Sequence, residues 1–398
     1  MAFTSETLTT QLAGQLSPEL LEDSVESRIV KIRPAATPLD QITRCIGSRR
    51  CDSMKVSYYS VDLKPGSATV AAAVADGFSP LDDIEITVDT EGVFAPTDTI
   101  MLPGVKLTAA GRAEALRGYV KEVNGTKLTV RLTDIPGAES EFPAIKKGET
   151  IVRMGRAASE LDVMTGLYNS LPVKDFNYCQ IFKTQIESSA MHNLARKEVG
   201  WGFHDQEEVA IMDMRLGMEK SFLFGLREQF DDLDDNREVL LTGGIWHQAG
   251  RDYTFGGKVN TTSVAALMRS AFTLSGGSRA KVMIAGSGLI ERFSALDYTR
   301  TVQSTGKNVH WGIDFDTVVS KFGTLHVIHS EIFDLCGHED DAIVIDPEYV
   351  TKYTHIPFNA QKLHLKQAGL RNTDAVVMTE ASCVVLRYPD AHVRVTFA

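Results

Sequence analysis

Residues 205–230 read DQEEVAIMDMRLGMEKSFLFGLREQF. Val209, Met212, Leu216, Leu223, Leu226 and Phe230 recur at alternating steps of three and four, with one gap at Glu219. That spacing is one face of an amphipathic helix. Asp205 and Glu208 are spaced like a capping box, so the helix is expected to begin at Asp205. About 25 residues at 1.5 Å each predict a rod of roughly 37 Å. Gly217 and Gly225 weaken it, which leaves packing rather than propensity to hold it together. Asp231, Asp232, Asp234 and Asp235 follow at the end where a helix dipole least favours negative charge. The cluster is therefore expected just beyond the last turn.

Upstream of the rod, NYCQIFKTQIESSAMHNLARKE from Asn177 is read as a helical lead-in. Residues 56–157 carry β signals instead: IEITV at Ile84, DTIML at Asp98, LRGYVKEV at Leu116, TKLTVRL at Thr126 and TIVRM at Thr150. Asn124-Gly125 between two of these is a hairpin signal. Leu128, Val130 and Leu132 then alternate with Lys127, Thr129 and Arg131, which predicts one buried and one wet face. Strands at this spacing suggest a small barrel or sandwich. Downstream, α and β alternate. Helices are expected at Thr261 and Gly288, and strands at Lys281, Phe322, Asp341, Asp374, Ser382 and His392.

The first 55 residues do not have the pattern of a packed domain. Five acids, Glu6 to Glu26, precede any base; residues 28–55 then carry seven basic and two acidic side chains. Pro18, Pro34 and Pro38 forbid one long helix, so a short helix (SPELLEDSVESRIV, capped by Ser17) within an extended arm fits best. With 398 residues the chain is long enough for two or three domains. A net charge of −11 argues against nucleic-acid binding by the whole surface but leaves room for a local basic arm. The five cysteines form no C-x-x-C pair and read as free thiols in a reducing cytoplasm. The amino terminus lacks the pattern of a signal peptide, and no apolar run of about 18 residues is long enough to span a bilayer.

Patterns that carry chemistry are incomplete. Gly286-Ser-Gly288 between a strand and a helix imitates a dinucleotide turn, but Glu291 stands where a third glycine or alanine is needed. Gly257-Lys258 and Gly306-Lys307 lack the first glycine of a phosphate loop. Ser278 and Lys281 form an isolated S-x-x-K without companion motifs. His326 and His329, three apart on a strand, should face opposite ways, and His338 to Asp341 reads as a solvated turn. Trp201, Trp246 and Trp311 sit in no binding motif. Neither a catalytic residue nor a cofactor or metal is implied.

The order of parts resembles the tailed-bacteriophage major capsid proteins with the HK97-type fold, in the branch with a β-rich insertion in the extended loop. RPAATPLDQITR from Arg33 is similar to the arm of that branch, and KKGETIVRMGRAASE from Lys146 to the return from the insertion. FNYCQIFKTQIESSA from Phe176 and the Asp205 helix are similar to its peripheral domain and spine helix. IDPEYV from Ile345 and the strands from Asp374 resemble the end of such chains. The resemblance implies an α+β fold in five parts: an N-terminal arm (1–55), an extended loop with a β-barrel-like insertion (56–158), a peripheral domain with the spine helix (159–242), an axial α/β domain (243–345) and C-terminal strands (346–398). It further implies a non-enzymatic shell protein. Pentamers and hexamers would assemble in a host bacterial cytoplasm into a virion head around double-stranded DNA, without sequence-specific binding or a membrane. A portal and decoration proteins would be partners.

Lys–Asn cross-links and leader removal occur in some such proteins, and neither maps onto named residues here; the sequence gives no sign of a removed leader. Two alternatives remain: an encapsulin-like compartment of the same fold, and an α/β nucleotide-binding enzyme with a β module. Candidate intersubunit contacts are Arg44, Arg49 and Arg50 of the arm, facing Asp231, Asp232, Asp234 and Asp235 of a neighbour. Solvated charges, or an arm facing packaged DNA, are the competing readings.

Overall fold

The computed structural model describes residues 37–60, 65–79, 81–109, 112–133, 142–160, 171–195, 202–231, 237–273, 277–296, 308–310, 313–363, 365 and 371–397. The expected helix at 17–30, Asp232, Asp234, Asp235, Trp201, Trp311 and the Gly306-Lys307 pair lie outside these residues. Two compact units emerge: Tyr59–Val173, and the segments Met1–Tyr58 with Lys174–Ala398.

In the 59–173 unit, strict alternation builds six antiparallel strands. Their order is Ser67–Thr69, Thr150–Arg156, Asp98–Ala109, Arg112–Asn124, Lys127–Leu132 and Asp83–Thr87. Leu128, Val130 and Leu132 point inward beside Ile84, Ile86, Ile100, Leu116, Val120 and Ile151. Val70 and Val88, each following an edge strand, form a bridge, with Ala71 N donating to Thr87 O and Asp89 N to Thr69 O. Those bonds join the two edges and close the strands into a ring, which leaves no open edge there. Asn124 pairs with Lys127, so the hairpin loop is Gly125-Thr126, one residue later than the Asn-Gly signal suggests. Gly125 alone takes a positive φ, the type II′ pattern. Gly118 faces the interior, and a Cβ there would lie 2.4 Å from Val130 Cγ1.

The other unit carries two larger sheets. One has four strands in the order Ser48–Arg50, Val350–Leu363, Thr373–Leu386, Gln180–Ser189. The second has seven, in the order Arg251–Phe255, Val393–Phe397, Ala342–Ile345, Ala280–Ala285, Thr324–His329, Ile313–Val319, Asn308–His310. It mixes parallel pairs (Ala280–Ala285 with Thr324–His329, for example) with antiparallel ones. Helices Thr261–Phe272 and Ser287–Ser294 supply Leu267, Met268 and Leu289 to its core. The long rod is Phe203–Phe224, and its Met214, Met218, Phe222 and Leu223 pack with Phe182, Met378 and Val384 from the four-stranded sheet.

Several expectations are corrected here. The segment from Asn177 opens on strands, not helix: Val173–Tyr178 and Gln180–Ser189 are strands, and among the described residues of the segment helix is confined to Ala190–Leu194. Ten residue pairs tie Gln180–Ser189 to the central strand Thr373–Leu386, and that long-range pairing overrides local propensity. The rod starts two residues early, with Asp205 as the third helical residue accepting from Gly202 N. It ends at Phe224, so Leu226 lies beyond it and Phe230 belongs to a strand, Glu228–Asp231. Gly225 is its C-cap, and a Cβ there would meet Thr242 O at 2.5 Å, so the close approach requires glycine. Val209 is exposed, and the apolar face runs instead through Met214, Met218 and Phe222, with Glu219 buried among them. The two strands expected at Asp374 and Ser382 are one, Thr373–Leu386. Val350–Leu363 was not expected as a strand; it contains Pro357, which register shifts between Thr354 and Asn359 accommodate.

Candidate assembly surface and the anchor of the arm

Pro38 opens a helix, Pro38–Ile46, rather than merely breaking one, since its fixed φ suits the first helical turn. Leu39 and Ile42 are fully buried in the core formed with Met218 and Phe222. The cap residue Thr37 makes no side-chain cap bond. The carboxylate of Glu219 takes that role from 180 positions away: Oε1 accepts from Leu39 N at 2.7 Å and Oε2 from Asp40 N at 2.8 Å. Two orphan donors at a helix N-terminus, where the dipole favours an anion, are thereby satisfied.

Asp40 then pairs with Arg44 Nε at 3.0 Å and with Lys352 Nζ at 3.1 Å. Lys352 also reaches Glu380 Oε1 at 2.9 Å, and Glu380 accepts from Ser382 Oγ. Asp40, Glu219, Lys352 and Glu380 are all buried. Burial pushes Glu219 up to about 8 against the pull of its two backbone donors. Sequence reading missed this cluster. Its one signal was the gap at Glu219 in an otherwise apolar stripe.

A second polar joint lies where strands Lys55–Ser60 and Val173–Tyr178 pair. Tyr58 donates to Asp175 at 2.8 Å, and Arg227 donates to Asp175 at 2.8 Å and to Phe176 O. Lys55 and Arg227 both lie over the Phe176 ring, at 4.0 and 4.4 Å. Burial raises the Tyr58 phenol, with Asp175 adding to the rise. Asp175 falls below the usual carboxylate range, because bonds from Arg227 and Tyr58 outweigh its burial.

The proposed contact residues are placed as follows. Arg44 is spent on Asp40 of its own chain. Arg49 and Arg50 are exposed on Ser48–Arg50, an edge strand pairing in parallel with Val350–Leu363. Asp231 is not just past the rod; it is exposed on Glu228–Asp231, which forms a hairpin with Glu238–Leu241. Asp232, Asp234 and Asp235 lie outside the described residues.

The chemical patterns resolve into packing. A Cβ on Gly286 or Gly288 would lie 2.4 Å from Glu339 O or Asp340 Oδ1, so those glycines admit an acidic loop of the same chain where a phosphate would otherwise sit. Ser287 N donates to Asp334 and Leu289 N to Glu339 O. Lys281 is fully buried, donates to Ala271 O and Ala391 O at 2.7 Å, and is drawn down to about 8 by burial. Ser278 turns to Asp346 instead. His326 sits 3.3 Å from Thr317 Oγ1 and His329 3.1 Å from Asp334 Oδ2. His338 is no free solvated turn: it lies 2.7 Å from Asp341, and its ring stacks on Phe224 at 4.7 Å. Among the described residues no group of three or more His, Cys, Asp or Glu is placed to hold a metal ion.

A family model described as the SU10 major capsid protein matches residues 3–398. The chain belongs to this family. Members of the SU10 major capsid protein family build the phage head shell; this chain is a structural protein of the virion capsid and not an enzyme. Shell building makes it homo-oligomeric. A search of curated proteins finds no match. Among solved structures, the chain is similar to one from Gordonia phage Cozz at 11% identity, covering 99% of this chain and 96% of that one with a TM-score of 0.47. It is similar to one from Mycobacterium phage Bobi at 9% identity, covering 99% of each with a TM-score of 0.45. The holo-SrpI encapsulin of Synechococcus elongatus PCC 7942 is 9% identical, covering 57% of this chain and 76% of that one, with a TM-score of 0.39. The family assignment rests on the near full-length match to the SU10 major capsid protein.

Proposed function

We propose that this capsid protein forms pentamers and hexamers of an icosahedral, HK97-type shell around double-stranded DNA, with a portal and decoration proteins as partners. On this reading residues 1–55 are the arm, 56–158 the extended loop with its β insertion, 159–242 the peripheral domain, 243–345 the axial domain and 346–398 the closing strands. Family membership over 3–398 carries the proposal. The exposed basic pair Arg49 and Arg50 on a sheet edge supports a charged contact between copies. So do the exposed apolar side chains Met191, Leu194 and Leu335, which a lone chain leaves in water.

In this reading the arm docks on acidic surface of a neighbour, with Asp231, Asp232, Asp234 and Asp235 the receiving cluster. Exposed pairs contribute roughly 0.2–1 kcal/mol each, so repetition over a shell makes assembly sensitive to salt. Electron microscopy and sedimentation of purified protein test the assembly; a persistently monomeric chain overturns it. R49E with R50E should impair assembly without loss of folding, and D231K with D232K in the same chain should restore part of it. Failure of that rescue removes the pairing and leaves the shell reading in place.

A further inference from the structure

Three cysteines that stand far apart in sequence meet in space. Cys179 Sγ lies 3.8 Å from Cys51 Sγ and 3.5 Å from Cys383 Sγ. Cys51 follows the edge strand Ser48–Arg50, with its N–H bonded to Thr354 O. Cys179 joins Val173–Tyr178 to Gln180–Ser189, its N–H donating to Met54 O. Cys383 lies within Thr373–Leu386, where the register of Gln180 with Ser382 sets it opposite Cys179. Cys179 and Cys383 are fully buried among Val56, Tyr58 and Val385, while Cys51 is half-buried at the rim.

We propose that Cys51 and Cys179 are a redox site, oxidised by hydrogen peroxide to a disulfide that staples the chain where it leaves for residues 59–173 and where it returns. The sulfurs must approach by roughly 1.7 Å to reach bonding distance. Cys51 is the one placed to move, since it caps a three-residue edge strand, whereas Cys383 is fixed in the middle of a sheet. Hydrogen bonds with Cys383 and Cys51 hold Cys179 below the usual thiol range, while burial and the neighbouring Cys179 push Cys51 up to about 12.

One thiolate of the pair attacks one peroxide oxygen, the O–O bond breaks, and the departing hydroxide is protonated to water. The resulting sulfenic sulfur is then attacked by the other cysteine. Its S–O bond breaks, the S–S bond forms, and the second thiol's proton leaves with the hydroxide as a second water. Two thiols and one peroxide thus give one disulfide and two waters, with two electrons passing from sulfur to peroxide. The bond closes a loop spanning 128 positions, and long loops gain most from such a constraint.

The test uses the full-length chain carrying C45S and C336S, which removes the two exposed thiols. After hydrogen peroxide, unfolding and iodoacetamide, mass spectrometry should find a Cys51–Cys179 peptide pair lighter by two hydrogens, with Cys383 alkylated. Adding C383S should preserve the link and C51S should abolish it. The oxidised chain should melt at a higher temperature than the same sample treated with dithiothreitol. A Cys179–Cys383 link, a link that survives C51S, or full alkylation of Cys51 and Cys179 after peroxide overturns the assignment.

Discussion

The ring of strands at 59–173 and the anchor of the arm are held by opposite kinds of interior. Between the strands the packing is mainly apolar, from Val70 to Ile151, with Asp98 a buried charge paired to Arg156, and adjacent or nearby hairpins supply most of it. Behind Pro38–Ile46 the packing surrounds ionisable groups, with Lys352 joined to Asp40 across 312 positions. An apolar interior loses stability by volume, a methylene at a time. A buried charge set fails as a unit, because removing one member leaves its partners ionised without solvent.

The sharpest break of this contrast is Lys352→Met. It leaves the buried Glu380 without a countercharge and Asp40 with Arg44 alone, and should lower stability of the 37–58 and 174–397 unit by about 3–5 kcal/mol in chemical denaturation. Hydrogen exchange should meanwhile show the 59–173 strands unchanged. Glu219→Ala comes next. It orphans Leu39 N and Asp40 N at about 1–3 kcal/mol per donor, and protection of those two amides should disappear first.

The same residue gives a pH signature. Its folded value, about 8, stands above the ordinary 4.5, so its contribution is fully present below pH 4.5 and is lost as pH rises through about 8. Glu219→Gln should flatten stability over that window; an unaltered pH profile would remove Glu219 as its cause. Gly118→Ala tests the other interior. Its methyl group would collide with Val130 and should cost about 1–3 kcal/mol at any pH, confined to the strand ring. Smallest is Lys127→Ala, which cuts an exposed pair with Glu85 and should change stability by less than about 1 kcal/mol. A loss as large as that of Gly118→Ala would mean that surface pairs matter to the ring as much as its packing.

The strands at Ile84, Asp98, Leu116, Lys127 and Thr150 were legible because side chains on a strand alternate with period two, and each apolar residue reports its face directly. The helices expected at Thr261 and Gly288 are present as Thr261–Phe272 and Ser287–Ser294. Gln180–Ser189 was misread because nothing within it names its partner; only pairing with Thr373–Leu386 makes it a strand. The basic edge at Arg49 and Arg50 was visible as composition, whereas Asp231 was placed wrongly because the hairpin it belongs to depends on Glu238–Leu241.

By itself, then, the sequence determined the elements whose pattern repeats within a dozen residues, together with membership of a capsid protein family. Tertiary structure alone decided where Glu219 points, why Gly286 and Gly288 are glycine, and that Cys51, Cys179 and Cys383 meet. Local periodicity records burial and not partnership. A carboxylate facing a distant helix terminus looks, along the chain, like any other gap in an apolar stripe.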